Sequence, residues 1–110
     1  MIYLIDTHAL VWALGGLSGK MGPRAGKIFQ DAERGRVHLG IPVVVLFELM
    51  ILGEKGKIAQ RVVDLVRAEI AHSQNFSIGD VTQDVVEHAG RCPQLRDPID
   101  RLIAAQALSL

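Results

Sequence analysis

The sequence predicts an α/β domain in which a parallel sheet is flanked by helices. Three observations carry this reading. Short apolar runs of strand length alternate with longer segments of helical spacing, an acid stands where the first apolar run stops, and proline and glycine mark the boundaries. A chain of 110 residues can bury one hydrophobic core without disulfides or a structural metal but not two, so residues 1–110 read as a single domain.

Each element follows from local chemistry. Ile2 to Ile5 is an apolar run ending at Asp6, as a buried parallel strand does when it delivers its last residue to the carboxyl edge of a sheet. Thr7 to Leu14 reads as a helix closed by Gly15 and Gly16. A loop over Gly19 to Gly22 leads to Pro23, suited to the first turn of a second helix that runs to about Arg34 and stops at Gly35. Arg36 to Ile41 reads as a second strand. Pro42 then opens the segment VVVLFELMIL, in which Glu48 is the only polar residue. A helix apolar on nearly all sides is expected to be buried, and Gly53 and Gly56 end this one. From Ala59 to His72, Val62, Val63, Val66 and Ile70 fall at helical spacing, with Arg61, Asp64, Arg67 and Glu69 outside.

Phe76 and Ile78 mark a brief third strand, and Asp80 with Gln83 forms a capping box for a helix through about Ala89. Pro93 breaks the chain. Asp97 and Pro98 are an N-cap and a first-turn proline opening the last helix, IDRLIAAQALSL. Alternation of strands and helices implies parallel pairing through right-handed crossovers.

Composition narrows the function classes. Apolar residues make up 49% and charged residues 22%, a globular balance that excludes a disordered or low-complexity scaffold. Lys plus Arg number 12 and Asp plus Glu number 12, so no net positive field draws in a polyanion, and a nucleic-acid ligand would depend on a bound cation or on local Arg and Lys. Cys92 is the single cysteine, which rules out an intrachain disulfide or a Cys-based zinc site and points to a reducing, cytoplasmic setting. The apolar N-terminus lacks the basic leader and small-residue cleavage pattern of a signal peptide, and no run reaches the length of a transmembrane helix.

The carboxylates carry the chemistry. Ligands of open parallel sheets bind at the carboxyl ends of the strands, where the sequence puts Asp6. Taken alone, Asp6 reads as the cap of the helix that starts at Thr7. Glu48 is harder to explain structurally, because an unpaired carboxylate on a buried helix face costs several kcal/mol unless a salt bridge to an Arg at the core edge, an exposed sliver of the helix or a bound metal compensates it. Asp97 and Asp100, three apart at a helix start, lie on neighbouring faces near the positive end of the helix dipole. Asp97 reads first as a cap and Asp100 as the better ligand, while Arg101 can neutralise one charge or meet a phosphate. Carboxylates from separate elements suffice for Mg²⁺ or Mn²⁺, which take oxygen ligands and retain waters.

Other chemistries find no support. His8, His38, His72 and His88 lack metal-ligand spacing, no nucleophile elbow surrounds Ser18 or Thr7, and the glycines at 15, 16, 19 and 22 do not lead to Lys-Ser or Lys-Thr. Trp12 and Phe47, each in an apolar helical run, read as core or dimer-interface packing. With aromatic content at 5%, a stacking-based single-strand binder is disfavoured.

The segments MIYLIDTHALVW, IPVVVLFELMILGEKGKI and LRDPIDRLIAAQA together resemble the PIN-domain ribonucleases, in particular the VapC-type toxins of toxin–antitoxin pairs, over nearly the whole chain. The resemblance implies a three-layer α/β/α fold and a Mg²⁺- or Mn²⁺-dependent endoribonuclease. Asp6, Glu48 and Asp100 would be its catalytic acids, Asp97 an auxiliary metal ligand, and Thr7 and Arg101 substrate contacts. It also implies a homodimer held in check by a cognate antitoxin that inserts into or beside the acidic site. The family normally continues into a further strand followed by a fourth aspartate, whereas this sequence stops at Leu110. The expectation is therefore a shortened or decayed relative, with apolar surface left on the last helix at Leu102, Ile103 and Leu110. The alternative function is a catalytically impaired module that acts by dimerisation or antitoxin binding.

Overall fold

The computed structural model describes residues 2–16 and 18–109. In chain order its elements are β1 (Ile2–Leu4), α1 (Thr7–Leu14), a short 3-10 turn (Ser18–Lys20), α2 (Pro23–Glu33), β2 (His38–Pro42), α3 (Val43–Glu54), α4 (Gln60–His72), β3 (Phe76–Gly79), α5 (Gln83–Ala89) and α6 (Pro98–Leu108). All three strands are parallel in the order β1-β2-β3, with Leu4 opposite Gly40, Leu39 opposite Phe76 and Pro42 opposite Gly79. The alternation of strand and helix thus yields the parallel α/β fold it predicted.

Burial follows strand position. The central strand β2 is nearly sealed, with Leu39 and Ile41 buried, whereas β3 at the sheet's edge leaves Ser77 and Ile78 exposed. Ile41 joins Ile5, Leu10, Val11, Val45, Leu49, Val63 and Val66 in the main core, which packs α1, α3 and α4 together. A smaller cluster of Val85, Ala89 and Ala105 joins α5 to α6. Gly35 and Gly56, at the ends of α2 and α3, have φ of 74° and 71°, where a side chain would be strained.

Several boundaries differ from the sequence reading. The cap of α5 is Thr82, whose Oγ1 accepts from the Val85 N–H at 3.2 Å; the expected Asp80–Gln83 box does not form, because Gln83 is itself the first helical residue. Pro42 ends β2 rather than opening α3, so strand passes into helix without a loop. Gly53 lies inside α3, which runs on to Glu54. Nor is α3 buried all round. Val44, Val45 and Leu49 face the core, while Phe47 and Met50 are 49% and 41% exposed, so Phe47 is not core packing. On the last helix, Leu102 and Ile103 are partly buried, Leu102 against the α5–α6 cluster and Ile103 against the main core. Packing on α5 and on the main core therefore partly covers both, and Leu110 lies outside the described residues.

Leu49→Ala should lower the unfolding free energy by about 2–5 kcal/mol in urea titrations, the usual cost of emptying a sealed Leu site. Leu65→Ala, on the exposed side of α4, should change it by less than about 1 kcal/mol.

Candidate metal and nuclease site

Asp6 leaves the carboxyl edge of β1 and caps α1, its Oδ1 accepting from the Ala9 N–H at 2.9 Å. The neighbouring Ile5 N–H donates to the Gly40 carbonyl at 3.1 Å, so β1 leaves β2 just before Asp6, while β2 continues to Pro42 and passes into α3. Glu48 is carried on α3, which packs against both α1 and α6. At the start of α6, Asp97 Oδ1 accepts from the N–H groups of Ile99 at 2.8 Å and Asp100 at 3.3 Å, and Asp100 occupies the exposed first turn. The last turns of α6 return to the sheet, where Gln106 lies so close to Gly79 that a Cβ on that glycine would meet Nε2 at 2.5 Å.

Glu48 departs from the expectation of a sealed carboxylate. It is half-buried, its carboxylate oxygens are not among the buried unpartnered atoms, and among the described residues it makes no hydrogen bond or salt bridge. Its charge therefore reaches solvent, and the burial penalty that marked it out in the sequence is largely avoided.

The two residues expected to touch substrate fare differently. Thr7 is 1% exposed and its Oγ1 finds no partner among the described residues, so its hydroxyl is sealed from solvent and removed from contact with a macromolecule. Arg101 is half-buried, and its Nε donates to the Ala89 carbonyl at 2.7 Å, an anchor at the end of α5 that sequence reasoning did not foresee. Gln106 was missed too. It is 6% exposed and its Oε1 has no partner among the described residues; within an apolar helical run, nothing in the sequence marks it as buried.

The donor set is all carboxylate oxygen, which suits Mg²⁺ or Mn²⁺. Asp6 and Asp97 each use one carboxylate oxygen as a cap, leaving the other for a ligand. The side chains are not gathered, however. Among the described residues, no three His, Cys, Asp or Glu side chains stand together as a group that could hold an ion. The elements thus meet, and the donor chemistry fits a hard cation, but no three of the acids are gathered among the described residues.

The PIN domain family matches residues 3–110, nearly the whole chain. The chain belongs to the PIN-domain family. This PIN domain also resembles a chain in the crystal structure of VapBC2 from Rickettsia felis bound to a DNA fragment from their promoter. The TM-score is 0.71 and the identity 19%, over 99% of this chain and 82% of that one, a likeness of fold. No curated protein matches the PIN domain described here.

Capping bonds separate two of its acids by a stability measurement. Asp97→Ala should cost about 1 kcal/mol of unfolding free energy through the loss of its two N–H partners. Asp100→Asn should shift it by less than about 0.5 kcal/mol in the same chemical denaturation.

Proposed function

We propose that this PIN domain is a metal-dependent endoribonuclease acting as the toxin of a toxin–antitoxin pair. The observation that carries the reading is the packing of α3, which bears Glu48, against the two helices that begin at Asp6 and at Asp97. Family membership supports nuclease chemistry, and the likeness to a chain of a VapBC2 complex supports an antitoxin partner. Asp6, Glu48 and Asp100 are the proposed catalytic acids and metal ligands, with Asp97 as an auxiliary ligand. A bound Mg²⁺ or Mn²⁺ supplies an activated water and stabilises charge on a phosphodiester oxygen. The carboxylates hold and orient that cation, and the positive ends of α1 and α6 moderate their mutual repulsion. RNA as substrate and a homodimeric, cytoplasmic state belong to the same proposal. Exposed Phe47 and Met50 on α3 offer apolar surface to a second copy, and Cys92 is a buried free thiol suited to a reducing compartment.

The ungathered carboxylates favour a second reading, a PIN module that binds an antitoxin without cutting. Calorimetric titration with Mn²⁺ separates the two, since the nuclease takes up the ion with measurable heat and the binding module gives a silent trace. For the nuclease, a defined single-stranded RNA should be cut with Mn²⁺ present. Cutting should cease in EDTA and fall by at least about 100-fold in Glu48→Gln, as expected when charge stabilisation is lost. Undiminished cutting in EDTA would refute the metal dependence.

A further inference from the structure

The start of α6 and the two residues before it present acids and arginines in separate directions. Between α5 and α6 lies an open cleft of about 370 Å³, with Val86, Ala89 and Leu102 among its apolar lining and Arg96, Pro98 and Arg101 at the α6 end. Neither Asp97 nor Asp100 lines it. Arg101 is adjacent in sequence to Asp100, about 1.5 Å along the helix axis and roughly 100° around it, so it lies beside that acid on a different face, and Arg96 precedes the capping Asp97. Arg101 is held at Nε by the Ala89 carbonyl, which fixes its guanidinium plane and leaves the terminal nitrogens to donate elsewhere. Among the described residues neither Arg96 nor Arg101 forms a salt bridge.

We propose that this cleft seats the backbone of a single-stranded RNA flanking the bond to be cut, with Arg96 and Arg101 on a phosphate and the apolar surface beneath a ribose or base. The proposal rests on the nuclease reading and adds a positioning subsite to it. Charge complementarity argues for this occupant. The chain has no net charge to attract a polyanion, so unpaired guanidinium groups beside the acids must supply the local attraction. Arginine beside apolar surface suits the alternating charged and flat parts of a single strand, because the guanidinium plane stacks as well as it donates. An acidic peptide would find the charges but makes less use of the apolar lining.

The test uses the full chain carrying Glu48→Gln, so that RNA is bound without turnover, and reads the anisotropy of a labelled single-stranded RNA across a salt series. Adding Arg96→Ala, at an exposed position, should weaken binding alike for different RNA sequences and lower the slope of log affinity against log salt by about 0.7. Arg96→Lys should recover most of that slope. An unchanged slope and affinity in Arg96→Ala would overturn the proposal. So would a variant that loses affinity for polyglutamate and keeps it for RNA, which would mark the cleft as a peptide site. Arg101→Lys keeps the charge but loses the Nε anchor and should weaken RNA binding with the fold intact by circular dichroism; wild-type affinity there would remove Arg101 from the subsite. Failure of the chain to cut RNA would be read in the Mn²⁺ assay, independently of these binding slopes.

Discussion

The hydrogen bond from the Ile5 N–H to the Gly40 carbonyl, at 3.1 Å, ties β1 to β2 at the level where β1 ends, while β2 runs on to Pro42 beside Gly79 of β3. Where each strand ends, the chain must turn away from the sheet. On β1 the next residue is Asp6, whose short carboxylate satisfies an N–H of α1; on β2, Pro42 leads directly into α3. This register also aligns Ile5 and Ile41 within one core with Leu10, Val45 and Leu49 from the departing helices. A slip of one residue would send Ile41 to the opposite face of the sheet and carry α3, with Glu48, out of step with Asp6. The position of the candidate site is thus a consequence of strand pairing as much as of the acids.

Capping and ligation are compatible at Asp6 and Asp97. A cap needs one carboxylate oxygen, and in both residues Oδ1 takes that part. The second oxygen is then held by a short, fixed side chain at the positive end of a helix, which favours its charge. The attraction of each helix start for its own carboxylate offsets part of the repulsion between the two. Glu48 and Asp100 have no such backbone bond through their carboxylates among the described residues, so they have more freedom to move toward a cation. Two fixed and two adjustable acids reconcile meeting elements with side chains that stand apart.

Local chemistry made some of this legible in the sequence and tertiary packing decided the rest. The bounds of α1, and of α6 from Pro98, could be read because each cap is a residue type that closes a helix start by its own side chain. Asp80–Gln83 offered an equally good local pattern, yet Thr82 caps α5, since a pattern four residues long does not say which of two nearby oxygens the fold will use. The exposure of Phe47 and Met50 was hidden because hydrophobicity all round α3 carries no face, and only the packing of α1, α4 and α6 chooses one. Gln106 and Thr7 are polar residues taken into the interior by neighbours distant in sequence, and the anchor between Arg101 and Ala89 spans two helices. The candidate acids were legible as residue types, and their separation was not, because it depends on side-chain directions that spacing leaves open.

The half-buried state of Glu48 changes what a metal must do. Had its carboxylate been sealed in the core, the cation would have been needed to offset a charge costing several kcal/mol, and folding would have depended on it. With the carboxylate in reach of solvent, water meets most of that cost and the core of Leu10, Ile41, Val45 and Leu49 forms around apolar contacts alone. A cation that binds only the folded chain then adds stability in proportion to its concentration over its dissociation constant, instead of being a condition for folding. Such a fold can persist with its carboxylates apart and gather them only when a divalent ion arrives, at the cost of drawing like charges together. On the proposed metal-dependent reading, affinity for the ion would be limited by the movement of Glu48 and Asp100, while the caps at Asp6 and Asp97 hold the remaining charge in place.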